Sequence, residues 1–179
     1  MWGHGLPNEG RFLGLLYNGF SEHLIVGFSR TLETRHVIEE LYFRHNSSPE
    51  YTRITGFGNA MSLRDPLSCL ASPCILFRVC RLNPGGGYDW DSVCSFDLIT
   101  KKKSTLLSAD SMPRFDDCTR AWISSLISSN AEGNVLIVIV ALQRTEEATG
   151  LSRVDHSLCE LKVSDLSIRK LTALSSPFA

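Results

Sequence analysis

One arrangement of apolar and polar positions occurs three times along the 179 residues. Each time, a short segment with apolar residues at its first and third positions is followed by a polar turn and a second apolar run. These segments are residues 41–45, 94–98 and 159–163. Alternation with a period of two residues is typical of a strand with one buried face, so each segment and its turn predict a β-hairpin.

A more apolar run precedes each hairpin, at residues 24–28, 75–79 and 135–140. Near-continuous apolarity indicates a strand that is buried on both faces. Corresponding positions in these runs, 24, 75 and 136, are separated by 51 and then 61 residues. Periods of about 50 residues are typical of propeller arrays, in which each repeat is one small antiparallel sheet.

The pattern therefore predicts a mostly β protein of three propeller-like antiparallel blades within a single domain that spans residues 1–179. The repeat units are predicted at about 11–58, 67–108 and 120–174. Their leading strands are predicted at 12–17, 67–70 and 121–127.

Two segments also fit helices, which would make the chain an α+β domain instead. Residues 34–43 and 116–127 each place apolar side chains at helical spacing on one face. The second segment follows acidic residues that are suited to a helix N-terminus. Serines at 124, 125, 128 and 129 lower its helix propensity, and the repeat accounts for more of the chain, so we favour the β interpretation.

Between residues 85 and 122 the sequence resembles a kelch repeat. Three glycines and Tyr88-Asp89 precede the strand at 93–98, which ends in Phe96-Asp97-Leu98; a polar turn and Met112-Pro113-Arg114 follow. Kelch blades have paired glycines, an aromatic-Asp pair, a short polar turn and Met-Pro followed by Arg in this order. The other two units lack paired glycines, and the outer strands lack the tryptophan of the kelch pattern. The resemblance implies a binding platform, often for other proteins, and it does not imply catalysis.

Three blades are too few to close a propeller, so the outermost sheets are predicted to expose a flank. The hypotheses that follow are assembly with a second copy as a homo-oligomer, completion by a larger propeller of which this is a structural fragment, or a sheet that the N-terminal segment covers.

Composition and charge argue against several classes of partner. A net charge of -1 gives no concentrated positive field for nucleic acid or an anionic membrane. The basic run at 101–103 falls in a predicted turn. The first residues do not resemble a secretory signal, and the apolar segment 135–142 is too short to cross a bilayer as a helix. We therefore expect a cytoplasmic or nuclear protein.

No metal site or cofactor is predicted. The six cysteines have no pair at the two-residue gap of a zinc or redox motif, and the five histidines form no ligand spacing. Gly85-Gly86-Gly87 is followed by no Lys-Ser or Lys-Thr pair, so it lacks the mechanics of a phosphate loop.

Cys118 is the candidate catalytic residue. It precedes the possible helix at 116–127, and a helix N-terminus favours the thiolate form. His36, His45 and His156 are candidate bases, whereas acids at 116 and 117 would oppose the thiolate. The alternative function is thus a small α+β enzyme with a cysteine nucleophile.

The favoured function is a non-catalytic protein-interaction module that uses loops on one rim of the propeller. The loops are predicted at 30–37, 81–92 and 144–156. The second carries Tyr88 and Trp90, which are residue types that dominate interface hot spots. Arg30 and Arg144 follow equivalent strands, so the four are predicted to form one protein-binding surface. The alternative for Trp90 is that it packs back onto its own blade.

Overall fold

The computed structural model describes residues 5–6, 10–54, 57, 60–116, 118–145 and 149–174. Within these ranges the chain forms twelve strands and no helix. The strands make three four-stranded antiparallel sheets, each a meander in which sequential strands are neighbours. The prediction of a mostly β chain with three propeller-like blades is confirmed.

Each blade contains four strands. The first consists of β1 (Arg11–Asn18), β2 (His23–Thr31), β3 (Val37–His45) and β4 (Thr52–Arg53). The second consists of β5 (Met61–Ser68), β6 (Cys74–Leu82), β7 (Tyr88–Asp97) and β8 (Lys103–Ser108). The third consists of β9 (Arg120–Ser129), β10 (Val135–Thr145), β11 (Ser152–Lys162) and β12 (Ser167–Leu174).

The blades pack face to face in chain order, and their first strands lie side by side, with β5 in contact with both β1 and β9. Two apolar clusters fill the two seams between blades. The seam of the first and second blades is built around Ile25, Leu41, Phe43, Phe77 and Phe96. The seam of the second and third blades is built around Leu76, Trp90, Val93, Ile123 and Val138. We call the side of a blade that meets the next blade in the chain its forward face, and the opposite side its backward face.

The turn between the first and second strands aligns the three blades position by position. Each turn has four residues, at 19–22, 70–73 and 131–134, so that His23, Cys74 and Val135 are equivalent. The first strands of the outer blades even share a bulge, which follows Phe12 in β1 and Ile123 in β9. Residues with the same place in this alignment can therefore be compared between blades.

These turns also hold neighbouring blades together. Asn18, fully buried, donates from Nδ2 to three carbonyl oxygens of the second blade's turn, those of Cys69, Ser72 and Cys74, at 3.1, 3.1 and 3.2 Å. The amide of Ala71 in turn donates to the carbonyl of residue 131 in the third blade at 2.9 Å.

The predicted leading strand of the second unit was misplaced. It was predicted at 67–70, whereas β5 begins at Met61 and ends at Ser68. Arg64-Asp65-Pro66 breaks the apolar pattern in the sequence, but a bulge between Arg64 and Leu67 accommodates these residues in the strand.

Both alternative helices are wrong, and with them the α+β fold class. Residues 37–45 and 120–129 are strands β3 and β9. Apolar residues spaced at three and four also suit a strand that is buried on both faces. In β3, Ile38 and Tyr42 lie on the backward face while Leu41 and Phe43 lie on the forward face, and all four are buried.

Candidate partner-binding rim

The turns between second and third strands approach each other at one end of the blades. They comprise residues 32–36 in the first blade and 83–87 in the second. His36 lies so close to Gly86 that a Cβ on this glycine would be 3.0 Å from His36 Cε1. Gly86 also has a φ of +83°, which disfavours other residues, so the close approach depends on glycine here.

Two ion pairs cross the seams at this end. Arg64 Nε in β5 lies 3.3 Å from Glu39 Oε1 in β3, and Arg120 Nη2 in β9 donates to Asp89 Oδ1 in β7 at 3.0 Å. Each pair joins the third strand of one blade to the first strand of the next. We call these four residues, together with Tyr88, the rim cluster.

Tyr88 lies under the Arg64 side chain. The guanidinium carbon is 4.2 Å from the centroid of the phenol ring, which is the geometry of a cation–π contact. The hydroxyl oxygen is buried and has no hydrogen-bond partner in the described part of the chain. Burial raises the pKa of this phenol, while the nearby Arg64 charge acts in the opposite direction. An unpaired buried hydroxyl costs the folded state free energy.

The charges of the rim cluster balance, and its ionic side chains are accessible. The two acids and two arginines have side-chain exposures between 27% and 54%. Burial raises the pKa of Glu39, and Arg64 opposes that shift. Hydrogen bonds from Arg120 and then Asn83 lower the pKa of Asp89. The cluster therefore offers a partner both donors and acceptors without a strong field of either sign.

Trp90 is not on this surface. Its side chain is 6% exposed and packs in the apolar cluster between the second and third blades. Its Nε1 has no hydrogen-bond partner among the described residues. The structure thus corrects the prediction that Trp90 stands on an exposed loop, because Trp90 lies in β7 and packs in the seam between two blades.

Arg30 and Arg144 lie within strands β2 and β10 and are each held by an acid of their own blade. Arg30 donates from Nε and Nη2 to Glu40 Oε1 at 3.2 and 3.0 Å, and Arg144 pairs with Asp155. No hydrogen bond or ion pair in the described ranges joins either arginine to Tyr88. A common binding surface of these residues stays a prediction.

The rim loops are shorter than predicted because the strands continue into them. Residues 30–31 and 88–92 belong to β2 and β7, and residues 152–156 belong to β11. Part of the third loop, residues 146–148, lies outside the described residues.

Cys118 lies in the connection between the second and third blades. Its thiol donates to the carbonyl of Phe115 at 3.4 Å. It lines an open cleft of about 440 Å³, and the described residues that line this cleft include no histidine and no carboxylate. Of its candidate bases, His36 contacts the turn at Gly86, and His45 packs against His23 with ring centroids 5.2 Å apart. The neighbouring residue 117 lies outside the described residues.

No three histidine, cysteine or acidic side chains of the described ranges converge in a way that could hold a metal ion. Nor do those residues include a helix of the length and apolarity that crossing a bilayer requires.

Comparisons with known proteins identify no relative by sequence. No protein-family model matches the chain, and no curated protein is detectably similar to it. Among solved structures, a puromycin-hydrolyzing peptidase of Mycobacterium tuberculosis is similar over 93% of this chain, with 12% identity and a TM-score of 0.48. The chain spans 25% of that structure's length. At this level the likeness carries no argument about fold or function.

Sequence reasoning missed most of the rim cluster, although it singled out Tyr88. Arg64 was overlooked because β5 was predicted to begin after it. Glu39 and Arg120 fell in the segments 34–43 and 116–127, which also fitted helices. On the polar face of a surface helix a charged residue is expected to face solvent, so neither residue indicated a site. A usable signal was present: a charged residue close to the start of β3, β5, β7 and β9.

Proposed function

We propose that the chain is a non-catalytic protein-interaction module of β-propeller type, which binds a protein partner through the rim cluster. The observation that supports it best is that two partly exposed ion pairs cross the two blade seams at one end, with Tyr88 in cation–π contact with Arg64. Such a site is rigid because three blades hold it, and its charged side chains remain accessible to a partner.

The kelch resemblance of the second unit agrees with this proposal. Its glycines at 85–87 form the turn of the second blade next to Tyr88, and the Gly87 amide donates to Asn83 Oδ1 at 2.9 Å. Kelch proteins are expected to bind other proteins through such turns. Catalysis through Cys118 is the weaker hypothesis, since the described residues of its cleft supply no base.

The first test reverses a rim charge. The purified chain is used as bait, and captured proteins are quantified by mass spectrometry for the wild type, Arg120→Glu and Arg169→Glu. Arg169 is the matched control, because it also pairs with an acid, Glu160, but lies on β12 at the outer edge of the third blade. We expect Arg120→Glu to lower capture of the specific partner on the order of tenfold.

Equal capture by the wild type and by both variants would contradict the rim as a binding surface. Circular dichroism and thermal unfolding of each variant show whether the sheets are intact, so that loss of fold is not mistaken for loss of binding.

Tyr88→Phe is a second variant that separates binding from folding. Removing an unpaired buried hydroxyl should leave the free energy of unfolding unchanged or raise it. If the partner satisfies that hydroxyl, its dissociation constant should rise by roughly 3- to 10-fold, as expected for one hydrogen bond. A partner that binds both forms with the same affinity does not use this group.

We propose a cytoplasmic or nuclear location for the module. The support is that all six cysteines are free thiols, since oxidising compartments favour disulfides.

A further inference from the structure

A pocket of about 180 Å³ opens in the seam between the first and second blades. Strands β1, β2 and β3 line one side of it, and Leu63 and Pro66 of β5 line the other. Among the described residues that line it, Glu39 is the one with a polar side chain. An apolar cavity of about 150 Å³ is large enough to bind benzene. The pocket can therefore hold one aromatic ring or a short aliphatic chain.

Two glycines create this space. Gly14 and Gly27 are paired across β1 and β2, and both line the pocket. A Cβ on Gly14 would meet nothing within 4 Å in the described part of the chain. A Cβ on Gly27 would be 3.6 and 3.8 Å from atoms of Leu13 and Leu41, which is ordinary van der Waals contact. Neither glycine has a positive φ, so the backbone does not require glycine at these positions.

The equivalent position in the second blade carries a cation. Gly27 and Arg78 have the same place in the aligned blades, at the fifth residue after the four-residue turn. Arg78 extends into the second seam, where its Nε donates to Asp65 Oδ2 at 2.9 Å and its Nη1 donates to the carbonyl of Ile123 at 3.3 Å. Its side chain is 12% exposed. A planar cation on an aliphatic stem thus fills the place in the second seam that is open in the first.

The Glu39 carboxylate at the pocket accepts no hydrogen bond from the described residues. Arg64 Nε lies 3.3 Å from Glu39 Oε1 but donates to Ser62 Oγ, at 3.2 Å. The Arg64 guanidinium is also in contact with the ring of Tyr88. Burial raises the pKa of Glu39, which means that its carboxylate is partly desolvated. A cation that donates hydrogen bonds to this carboxylate would compensate for the lost hydration.

Other acids of these blades do have donors. Glu40, on the opposite face of β3, accepts hydrogen bonds from Arg30 and Tyr42. Asp65 accepts from a guanidinium and from a backbone amide. Glu39 therefore differs from them in its free acceptor capacity, and it is the acid that lies at the pocket.

We propose that this pocket binds a small organic cation of the amidine or guanidine type. Its apolar body fills the space beside Gly14 and Gly27, and its planar cationic group donates two hydrogen bonds to Glu39. Two parallel N–H groups match the two oxygens of a carboxylate. The ligand repeats in the first seam the arrangement that Arg78 makes in the second. The proposal does not rest on the protein-interaction function, since the site is complete within the chain.

The test is a ligand-observed NMR titration of the chain with benzamidine, benzamide and benzoate. The three probes have the same ring and nearly the same shape, but they are cationic, neutral and anionic. The wild type should bind benzamidine with a dissociation constant on the order of 1 mM, as expected for a ligand of this size. Benzamide and benzoate should bind on the order of tenfold more weakly.

Two variants and their matched controls locate the site. Gly14→Leu should abolish binding, because its side chain fills the pocket, whereas Gly19→Leu in the exposed turn after β1 should bind as the wild type does. Glu39→Gln should weaken benzamidine binding on the order of tenfold and leave benzamide binding unchanged. Glu160→Gln is its control, because Glu160 is also a partly exposed acid paired with an arginine, Arg169. Thermal unfolding of each variant checks that the blades are intact.

Equal binding of the three probes would overturn the proposal, and so would benzamidine binding that Glu39→Gln leaves unchanged. The second result decides the matter even where Gly14→Leu does not fold.

An arginine side chain of a protein has the same chemistry as the proposed ligand. Comparing n-propylguanidine with N-acetyl-arginine methylamide separates the two sources, because the second compound adds a peptide backbone to the same side chain. We expect the second to bind no more tightly than the first. Binding that is tenfold tighter or more would overturn the assignment to a free small molecule in favour of an arginine of a protein partner.

Discussion

Asn18 shows how one buried polar side chain can join two sheets. Its Nδ2 faces three carbonyl oxygens of the second blade, while its Oδ1 accepts from the amide and the hydroxyl of Ser21, both at 2.9 Å. Every polar atom of the side chain is engaged without water. The residue is therefore a determinant of the first seam and not only of its own turn.

Replacing Asn18 should destabilise the protein in a graded way. Asn18→Ala removes the side-chain donor from the carbonyls of Cys69 and Ser72, while the carbonyl of Cys74 keeps the Cys69 amide, and we expect it to lower the free energy of unfolding by about 3 kcal/mol. Asn18→Asp should cost more at neutral pH, because a carboxylate would face three carbonyl oxygens. Urea denaturation at fixed protein concentration measures both. Asn46 is exposed, so Asn46→Asp serves as the control, with an expected change in the free energy of unfolding within about 0.5 kcal/mol. An equally small effect at Asn18 would show that its hydrogen bonds do not hold the two blades together.

Tyr42 belongs to a buried charge network on the backward face of the first blade. Its hydroxyl donates to Glu40 Oε2 at 2.9 Å, and Arg30 and Arg53 contact Glu40 Oε1 at 3.0 and 2.7 Å. Burial, and then the hydrogen bond to Glu40, raise the pKa of Tyr42 to about 12. The folded state therefore disfavours the phenolate.

The Tyr42 contribution to stability should disappear in alkali. In the unfolded chain a tyrosine ionises near a pKa of about 10, so the contribution is complete below that pH and declines as pH rises towards about 12. Urea denaturation between pH 8 and 12 should show a steeper loss of stability for the wild type than for Tyr42→Phe. Parallel curves for the two proteins would show that Tyr42 does not have the raised pKa.

At the scale of elements, β5 explains why part of the second blade escaped prediction. Its bulge places Asp65 at a φ of +52° and aims the carboxylate at two groups, Arg78 Nε at 2.9 Å and the amide of Leu126 in the third blade at 3.2 Å. A polar residue in a strand interrupts the period-two pattern. Here it is retained because it ties neighbouring first strands together.

The close approach of Gly133 to Cys69 is a second element-scale feature, and it yields a prediction. A Cβ on Gly133 would lie 2.5 Å from Cys69 Sγ in the adjacent turn, and its φ is +74°. Gly133→Ala should therefore lower the free energy of unfolding by about 3 kcal/mol, from backbone strain and overpacking together. Urea denaturation is the measurement.

Two further variants separate the cost of backbone strain from the cost of overpacking. Gly150 has a φ of +68° but nothing within 4 Å of a Cβ, so Gly150→Ala should cost only the strain, about 1–2 kcal/mol. Cys69→Ala removes the sulfur, so the double variant with Gly133→Ala should be more stable than the sum of the two single effects implies. Strict additivity would mean that the two turns do not press on each other.

For the whole molecule, the important property is that three equal units have unequal surroundings. Interior seams bury positions such as Leu126 and Leu41, while of the same positions at the ends Leu15 is exposed and Leu158 is partly exposed. A stack of sheets cannot satisfy both of its ends unless it is capped or closed. Leu6 packs on the backward face of the first blade and so caps part of that end.

By itself the sequence determined the fold class, because the period of its apolar pattern and the threefold repeat depend only on local alternation and on spacing along the chain. It also located Tyr88 near the rim. The tertiary structure decided what the sequence left open or missed: it excluded the alternative helices at 34–43 and 116–127, placed Trp90 in a seam, and brought Glu39 to Arg64. The physical reason is that helix and strand patterns coincide when both faces are buried. Which faces are buried, and which charges meet, depend on contacts between blades that lie far apart in sequence.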